Sequence, residues 1–556
     1  MNGILDTISK YKWFLFAWLL LNIIQASVTN LHFDEAYYWL YSNILSWGYF
    51  DHPPMIALMS KMGDFISHST LGLRIAPILM GMMVIIGILK LADNEDKDIH
   101  LFLYVISFPL ITSHIAGFLN LPDASLCFFF ILYLFSYKQY LKDDSVKNAF
   151  ILSLTIAGLI YSKYHALLII ALTLLANTNL LLKKRFWFVT LCSILLLLPH
   201  FYWQFENGFP SFLYHLDSRT SGFSFNNFFE YIPGQIVLAG PFSGLLIIYL
   251  AIIFKPNNTF DKTLKYIAIG FYIFFLFYCF RSRIEAHWTS VSTIALIIIS
   301  YKQLTHSKKI KRVLPYLIYP SIVLIMLARI VLAGDLFEDK LPPKSNFRNT
   351  EAWANELDSV AGGVPVLFTN KYQNLSIYSY AKDSWMPGAP NVNSRFSQVD
   401  LHRIDSLYDG QKVFALSFGN QVEWESKNKL KHRGSFIDNY YSYTGVIVED
   451  VTLIQTDTTV ALAFNLINNT SKKRLFDKDS QQRLKLDYSA NGLKKHVFFS
   501  DISEHNHILP FEKLSFTVPL DELNSNKITI DIALSSNNLR VFNDKVFISQ
   551  KETNGR

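Results

Sequence analysis

Long apolar blocks separated by short polar loops fill the chain up to about residue 334, and an ordinary mix of charged and polar residues follows. A helix needs about 20 apolar residues to cross the hydrocarbon, somewhat fewer or more with thinning or tilt. On that rule spans are expected near 12–29, 72–92, 99–118, 123–141, 148–162, 164–182, 186–204, 232–254, 264–280, 287–301 and 313–333. The fifth and sixth form one apolar region broken only at Tyr161–His165.

Alternate loops carry the excess of lysine and arginine. Lys10 and Lys12 precede the first span; Lys138, Lys142 and Lys147 flank one loop; Lys183, Lys184 and Arg185 fill the next. Lys255, Lys262 and Lys265, then Lys302, Lys308, Lys309, Lys311 and Arg312, complete the set. All fall on one side if the N-terminus is inside, so that side is expected to be the cytoplasm. The acidic loop Asp93–Asp98 gives no help. An odd number of spans then puts everything after about Gly334 outside.

Beyond the spans, Val364–Asn370 reads as a strand, Tyr372–Ala381 as a helix and Lys412–Phe418 as a second strand, a mixed α/β piece over 334–442. From 443 to 556, alternating runs at Val460–Leu466, Leu484–Tyr488, Lys513–Val518 and Lys527–Leu534 are separated by Asn, Ser, Asp and Gly turns. That pattern predicts a small antiparallel sandwich. The expected architecture is thus a polytopic α-helical membrane domain over 1–333, followed by an extracytoplasmic α/β domain and a β-sandwich.

Composition agrees. The 556 residues are 51% hydrophobic and only 17% charged, where soluble domains carry about 25% charged residues. The net charge of +7 lies mostly in short loops, a topology signal that points away from nucleic acid. Cys127, Cys192 and Cys279 all fall in apolar blocks, so no disulfide is expected in the outer domains. The stretch Trp13–Val28 lacks a small-residue cleavage site and reads as an uncleaved first span.

The loops on the opposite side hold the chemistry. The first, about Asn30 to Leu71, contains His32-Phe33-Asp34-Glu35-Ala36-Tyr37-Tyr38-Trp39 and Gly48-Tyr49-Phe50-Asp51-His52-Pro53-Pro54-Met55. Asp34 falls just past a span, where partial desolvation raises a carboxylate's basicity and suits it to take a proton from a hydroxyl. Structurally, Asp-Glu could equally cap a juxtamembrane helix, with the aromatics forming an interfacial belt. A second such loop is only Leu119–Asp123; a third, about 205–231, carries His215, Asp217 and Arg219; a short one reads Arg281-Ser282-Arg283-Ile284-Glu285. No glycine-rich phosphate loop occurs, which disfavours a nucleotide-sugar donor.

Asp-Glu-Ala-Tyr-Tyr-Trp followed by Gly-Tyr-Phe-Asp-His-Pro-Pro resembles the polyprenyl-phosphate-sugar glycosyltransferases, the aminoarabinose transferases and protein O-mannosyltransferases with the GT-C membrane fold. Leu121-Pro122-Asp123-Ala124 is similar to their second outer-loop aspartate motif, and Ser162-Lys163-Tyr164 to their lysine motif. Glu285-Ala286-His287-Trp288 resembles a later motif that more often reads Asn-Trp, with His287 in place of the Asn. The resemblance implies inverting transfer of a sugar from a polyprenyl (undecaprenyl) phosphate carrier to an acceptor hydroxyl on a cell-envelope glycolipid, glycan or protein. The enzyme is then expected in the bacterial inner membrane, facing outward.

Asp34 is the implied general base and Asp123 a second carboxylate near the sugar; the alternative for Asp123 is a helix N-cap. Glu35, Tyr38, Asp51, His52 and His287 are expected to line the substrate. Lys163, Arg281 and Arg283 are placed to meet the charge that builds on the departing phosphate, although Lys163 could instead snorkel to the interface. Arg74 is a weaker candidate of the same kind. Glu35, Asp51, His52 and His287 could form a divalent-metal site, but their spacing does not demand one, and no metal or other cofactor is expected. Asn393-Ser394-Arg395-Phe396 resembles a segment of bacterial relatives without a derivable role. A transporter or flippase with an outer sugar-binding domain is the competing class. It would show Gly/Pro-interrupted spans at matching positions in two similar halves, whereas here the charges gather at span ends and the halves differ.

Overall fold

The computed structural model describes residues 2–550 except 93–99, 216–222, 335–349, 370–371, 386–387, 390–396, 402–403, 427–430, 444, 456–459, 477–483, 491–492, 520–527, 537–538 and 541–545. The expected features at Asp93–Asp98, Asp217, Arg219 and Asn393–Phe396 therefore lie outside the described residues. The chain divides into two compact units, Met1–Arg348 and Asn349–Arg556.

The first unit is helical. Its helices are α1 (Asn2–Val28), α2 (Phe33–Asn43), α3 (Met55–Ile66), α4 (Thr70–Ala92), α5 (His100–Ile106), α6 (Pro122–Lys142), α7 (Val146–Ser162) and α8 (Ala166–Ala176). They continue as α9 (Lys184–Glu206), α10 (Pro210–Leu213), α11 (Phe225–Leu238), α12 (Gly244–Ile253), α13 (Thr259–Tyr278), α14 (Ser290–Thr305), α15 (Lys308–Val313) and α16 (Pro315–Gly334). Among the described residues five helices are long and apolar enough to cross a membrane: α1, α4, α6, α9 and α16. Shorter apolar helices α7, α8 and α12 accompany them.

The third and the eighth expected spans are broken rather than continuous. The third, 99–118, is α5 followed by a π-turn at Ile111–Ile115. Pro109 removes a backbone donor and its ring obstructs the preceding turn. Just past the break, the Pro109 carbonyl accepts from the Thr112 and Ser113 hydroxyls at 2.8 and 3.1 Å. The eighth, 232–254, splits into α11 and α12 around Gly240-Pro241, where Gly240 takes φ 136°, a conformation that suits glycine alone.

Close helix approach depends on small residues, as is usual between membrane helices. A Cβ added at Gly72 would sit 1.9 Å from the Ser67 carbonyl oxygen, so the α3–α4 turn closes tightly against backbone. The core between helices is aliphatic and aromatic, with Val84, Ile88, Phe108, Phe130, Leu134, Phe271, Ile294 and Ile298 fully buried.

In the second unit, a helix at Thr350–Ala361 precedes β1 (Val366–Phe368). The sheet also holds β2 (Gly388–Ala389), β3 (Gln411–Leu416), β4 (Val422–Glu425) and β5 (Lys431–Tyr440), in the order β2-β1-β3-β5-β4. β1 runs parallel to β2 and β3, and β5 runs antiparallel to β3 and β4. The rest is antiparallel. β6 (Val446–Gln455) and β7 (Val460–Asn468) come first, then the short β8 (Arg474–Leu475), β9 (Leu484–Ala490) and β10 (Leu493–Phe498). β11 (His507–Ile508), β12 (Lys513–Pro519), β13 (Ile528–Ser536), β14 (Leu539–Arg540) and β15 (Val546–Gln550) complete it. β12-β7-β6 form one sheet; β10-β9-β13 with β14 and β15 form another. Leu462, Phe464 and Leu466 of β7 and Phe516 of β12 share one core with Leu484 and Leu486 of β9, the facing inner sides of a sandwich.

Candidate active site

The site begins with how α2 is started. His32 is the N-cap residue; its Nδ1 accepts from the Asp34 N–H at 3.2 Å, and Glu35 Oε2 accepts from the His32 N–H at 2.9 Å. This reciprocal arrangement satisfies two otherwise unpaired donors of the first turn. It needs an unprotonated Nδ1. Burial, with added repulsion from His114 and Arg74, lowers His32 to about 4 against the opposing pull of Glu35.

Glu35 anchors the turn from below. Arg74 Nε donates to Glu35 Oε1 at 2.9 Å and Arg74 Nη2 to Oε2 at 2.6 Å, both side chains fully buried. The Asn120 N–H also donates to Glu35 Oε1, at 2.8 Å. Arg74 meanwhile closes the end of α1, donating to the carbonyls of Ala26 (2.9 Å), Thr29 (2.6 Å) and Asn30 (2.9 Å). A guanidinium matched to the open carbonyls of a helix C-terminus and to a carboxylate uses its fork at both ends. Burial alone would raise the Glu35 carboxyl, but the Arg74 charge and hydrogen bonds and the Asn120 and His32 N–H groups outweigh it and hold it below its usual value. Glu35, expected to touch substrate, is therefore corrected to a structural anion: all four of its acceptor contacts are spent on the protein. Arg74 is likewise a clamp and not a phosphate ligand.

The neighbouring Asp34 is left at the surface, its side chain 30% exposed and 3.8 Å from His32 Nδ1. It sits on the first turn of α2, where helix N–H groups favour an anion. Glu35 also fixes its neighbour in space: the Asn120 N–H belongs to the turn that opens α6, in which Pro122 and Asp123 form the first helical positions.

Asp123 is not an N-cap. It is buried, and Lys163 Nζ donates to both its oxygens, at 3.0 and 2.9 Å. Lys163 is itself buried at the end of α7 and does not snorkel. His287 Nε2 stands 3.9 Å from Asp123, and its ring stacks on His114 at 5.0 Å and 7°. His114 lies within electrostatic reach of His32 on one side and of Asp123 and Lys163 on the other. His287 thus links Asp123 and Lys163 to His114, while His32 lies against Asp34; sequence reasoning missed the places of His32 and His114. A lone histidine in the apolar run of the third span was the available signal for His114.

A second wall adjoins it. Tyr41 donates to buried Asp51, Tyr38 and His52 Nε2 are hydrogen-bonded at 3.0 Å, and Tyr41 and Tyr49 stack at 4.3 Å. His215 Nε2 reaches the Asp51 carbonyl at 3.2 Å. Tyr164, the residue after Lys163, bonds His200 Nε2 (3.2 Å) and Gln204 (3.1 Å), and His200 Nδ1 bonds the Trp47 carbonyl (2.6 Å). Aromatic hydroxyls and imidazoles therefore hold the loop of Asp51 and His52 against α9. Glu35, Asp51, His52 and His287 are engaged with different partners rather than converging as a ligand set. Arg281 is exposed, and Arg283 is 74% exposed with Glu230 at 3.7 Å.

Residues 51–203 match the family described as dolichyl-phosphate-mannose-protein mannosyltransferase. Over 287 residues the chain is 21% identical to lipid A galacturonosyltransferase RgtD of Rhizobium johnstonii, covering 49% of this chain and 60% of that protein. Among solved structures it is similar to ArnT from Cupriavidus metallidurans. The apo form gives a TM-score of 0.53 at 13% identity, covering 73% of this chain and 93% of that one. The form bound to undecaprenyl phosphate gives 0.54 at 13% identity, covering 77% and 98%. The chain spans under two thirds of the curated relative, and the structural likeness is one of fold. By sequence over residues 51–203 and by fold over about three quarters of its length, this chain resembles the GT-C glycosyltransferases.

Proposed function

We propose that the chain transfers a sugar from a polyprenyl-phosphate carrier to an acceptor hydroxyl at the outer face of the bacterial inner membrane, with inversion at the anomeric carbon. The observation that carries this reading is Asp34: a partly exposed carboxylate on a turn anchored by the Glu35–Arg74 pair, in a unit that also holds the buried Asp123–Lys163 pair with half-buried His287 next to it. The undecaprenyl phosphate bound by the similarly folded ArnT supports a polyprenyl-phosphate donor. The lipid A named for the relative supports a cell-envelope glycolipid as acceptor, with an envelope glycan or protein the other outcomes.

In this mechanism the acceptor hydroxyl attacks the anomeric carbon as Asp34 takes its proton. The bond from that carbon to the phosphate oxygen breaks, and the carrier leaves as a lipid phosphate monoester. Negative charge grows on the phosphate, and Lys163, with its charge shared by Asp123, and Arg281 or Arg283 at the rim are the cations that meet it. Asp123 and His287 orient the reacting groups through that lysine, and Tyr38, Asp51 and His52 shape the sugar side. No metal is required in this scheme. The basic-loop pattern supports an N-terminus in the cytoplasm and the second unit outside.

Asp34→Asn removes the base while keeping size and polarity. In membranes supplied with a polyprenyl-phosphate sugar, product should fall by about 100-fold or more, within the range seen when general acid–base groups are removed. Transfer at near wild-type rate would refute the assignment. Mass spectrometry of envelope glycolipids from cells with and without the protein would identify the acceptor.

A further inference from the structure

We propose that Arg329 is a positioning residue that fixes the first turn of α2 from the last membrane helix. Arg329 lies near the end of α16 and is 4% exposed. A charged side chain in a membrane-spanning helix is costly and is normally paired, yet among the described residues no carboxylate meets it. Three oxygens do: Arg329 Nη2 donates to Asn22 Oδ1 at 2.9 Å, Nε to Gln25 Oε1 at 3.2 Å, and Nη1 to the Thr112 carbonyl at 3.3 Å. Two acceptors lie on α1; the third is in the π-turn created by the break at Pro109. Arg329 therefore ties α16 to α1 and to the segment that also carries His114.

The contact continues toward the site. Gln25 Nε2 donates back to the Arg329 carbonyl at 3.2 Å and on to Thr29 Oγ1 at 2.7 Å. The Thr29 carbonyl accepts from Arg74 at 2.6 Å, and Arg74 holds Glu35 at the same distance. The two guanidinium groups also share one aromatic ring, Arg74 at 5.2 Å and Arg329 at 5.5 Å from the centroid of Phe118. An unbroken path thus runs Arg329–Gln25–Thr29–Arg74–Glu35, ending one residue from Asp34. A cation used only to pack α16 would need neither the return bond from Gln25 nor the shared ring. The name of the residue being positioned rests on the proposed reaction; the path itself does not.

Amide hydrogen exchange of the full-length protein in lipid nanodiscs tests this. Arg329→Met should speed exchange in α2 by about five- to tenfold, the size of a typical coupling between sites. Arg329→Lys, which keeps a cation and donors for Asn22 and Gln25, should restore most of the protection. Gln25→Glu keeps an acceptor for Arg329 but removes the donor to Thr29. It should loosen α2 while leaving α16 protected, and it decides the matter if Arg329→Met fails to fold. Wild-type exchange in α2 for Gln25→Glu, or loosening spread evenly over the whole unit, would overturn the proposal. No sugar is used, so the result stands apart from the Asp34→Asn test: retained transfer there would remove the base without touching this path.

Discussion

Glu35→Gln separates the anchoring role of this carboxylate from any role in contacting substrate. The wild-type side chain is fully buried and accepts from two Arg74 nitrogens and from the His32 and Asn120 N–H groups. The amide offers one oxygen where the carboxylate offered two. At least one of those four donors then faces an N–H, and Arg74 becomes a buried cation without its anion. Breaking a buried pair from one side costs about 3–5 kcal/mol. The lower end applies here, because Ala26, Thr29 and Asn30 still hold the guanidinium. About 3 kcal/mol is roughly a 100-fold easier opening of α2, read as amide exchange over residues 33–43 at pH 7. The pH dependence gives a second reading. A carboxylate whose value is depressed in the folded state stabilises above its unfolded value, and that contribution is lost as pH falls through the folded one. Wild-type α2 should therefore loosen on acidification below about 4.5, the ordinary value for this carboxyl, and the amide variant should not show that Glu35 component. Exchange at the wild-type rate at neutral pH would refute the reasoning.

The same helix has a second acid-sensitive part: His32, lowered from 6.5 to about 4 by burial. The unfolded state takes up its proton first, so stability falls as pH drops from about 6.5 to 4; His32→Asn, which caps without titrating, should flatten exchange of α2 in that window. Lys163→Met leaves Asp123 buried without its cation and should destabilise the membrane unit by about 3 kcal/mol. Adding Asp123→Asn should recover much of that loss, measured as a non-additive double-mutant cycle in thermal unfolding; additive losses would show that the two side chains are not coupled.

The apolar blocks located the helices well because a span must satisfy its own backbone and present hydrocarbon to lipid, and both demands are local. The strands at Val460, Leu484 and Lys513 were legible for a similar reason, since period-two alternation is written in the residues. The break at Pro109 was missed because apolar composition says nothing about where a helix loses a donor. Strands β5, β6 and β10 and the helix Thr350–Ala361 also escaped, their patterns being short or mixed.

The site divides along the same line. The run from His32 to Trp39 singled out Asp34 and Glu35 together, and nothing in their adjacency distinguishes one from the other. Their different fates follow from partners 39 and 85 positions away, Arg74 and Asn120. Helix periodicity then turns two consecutive side chains in different directions, one into the clamp and one to the surface. Likewise Lys163 could be read as snorkelling until Asp123 was found against it, and His114 and Arg329 carried no signal beyond a polar residue in an apolar run. By itself the sequence determined the membrane class, the order of spans and the loop in which Asp34 and Glu35 lie together. Only the tertiary structure decided which charges are consumed in holding that loop, because buried ion pairs form between residues distant in the chain and leave no local trace.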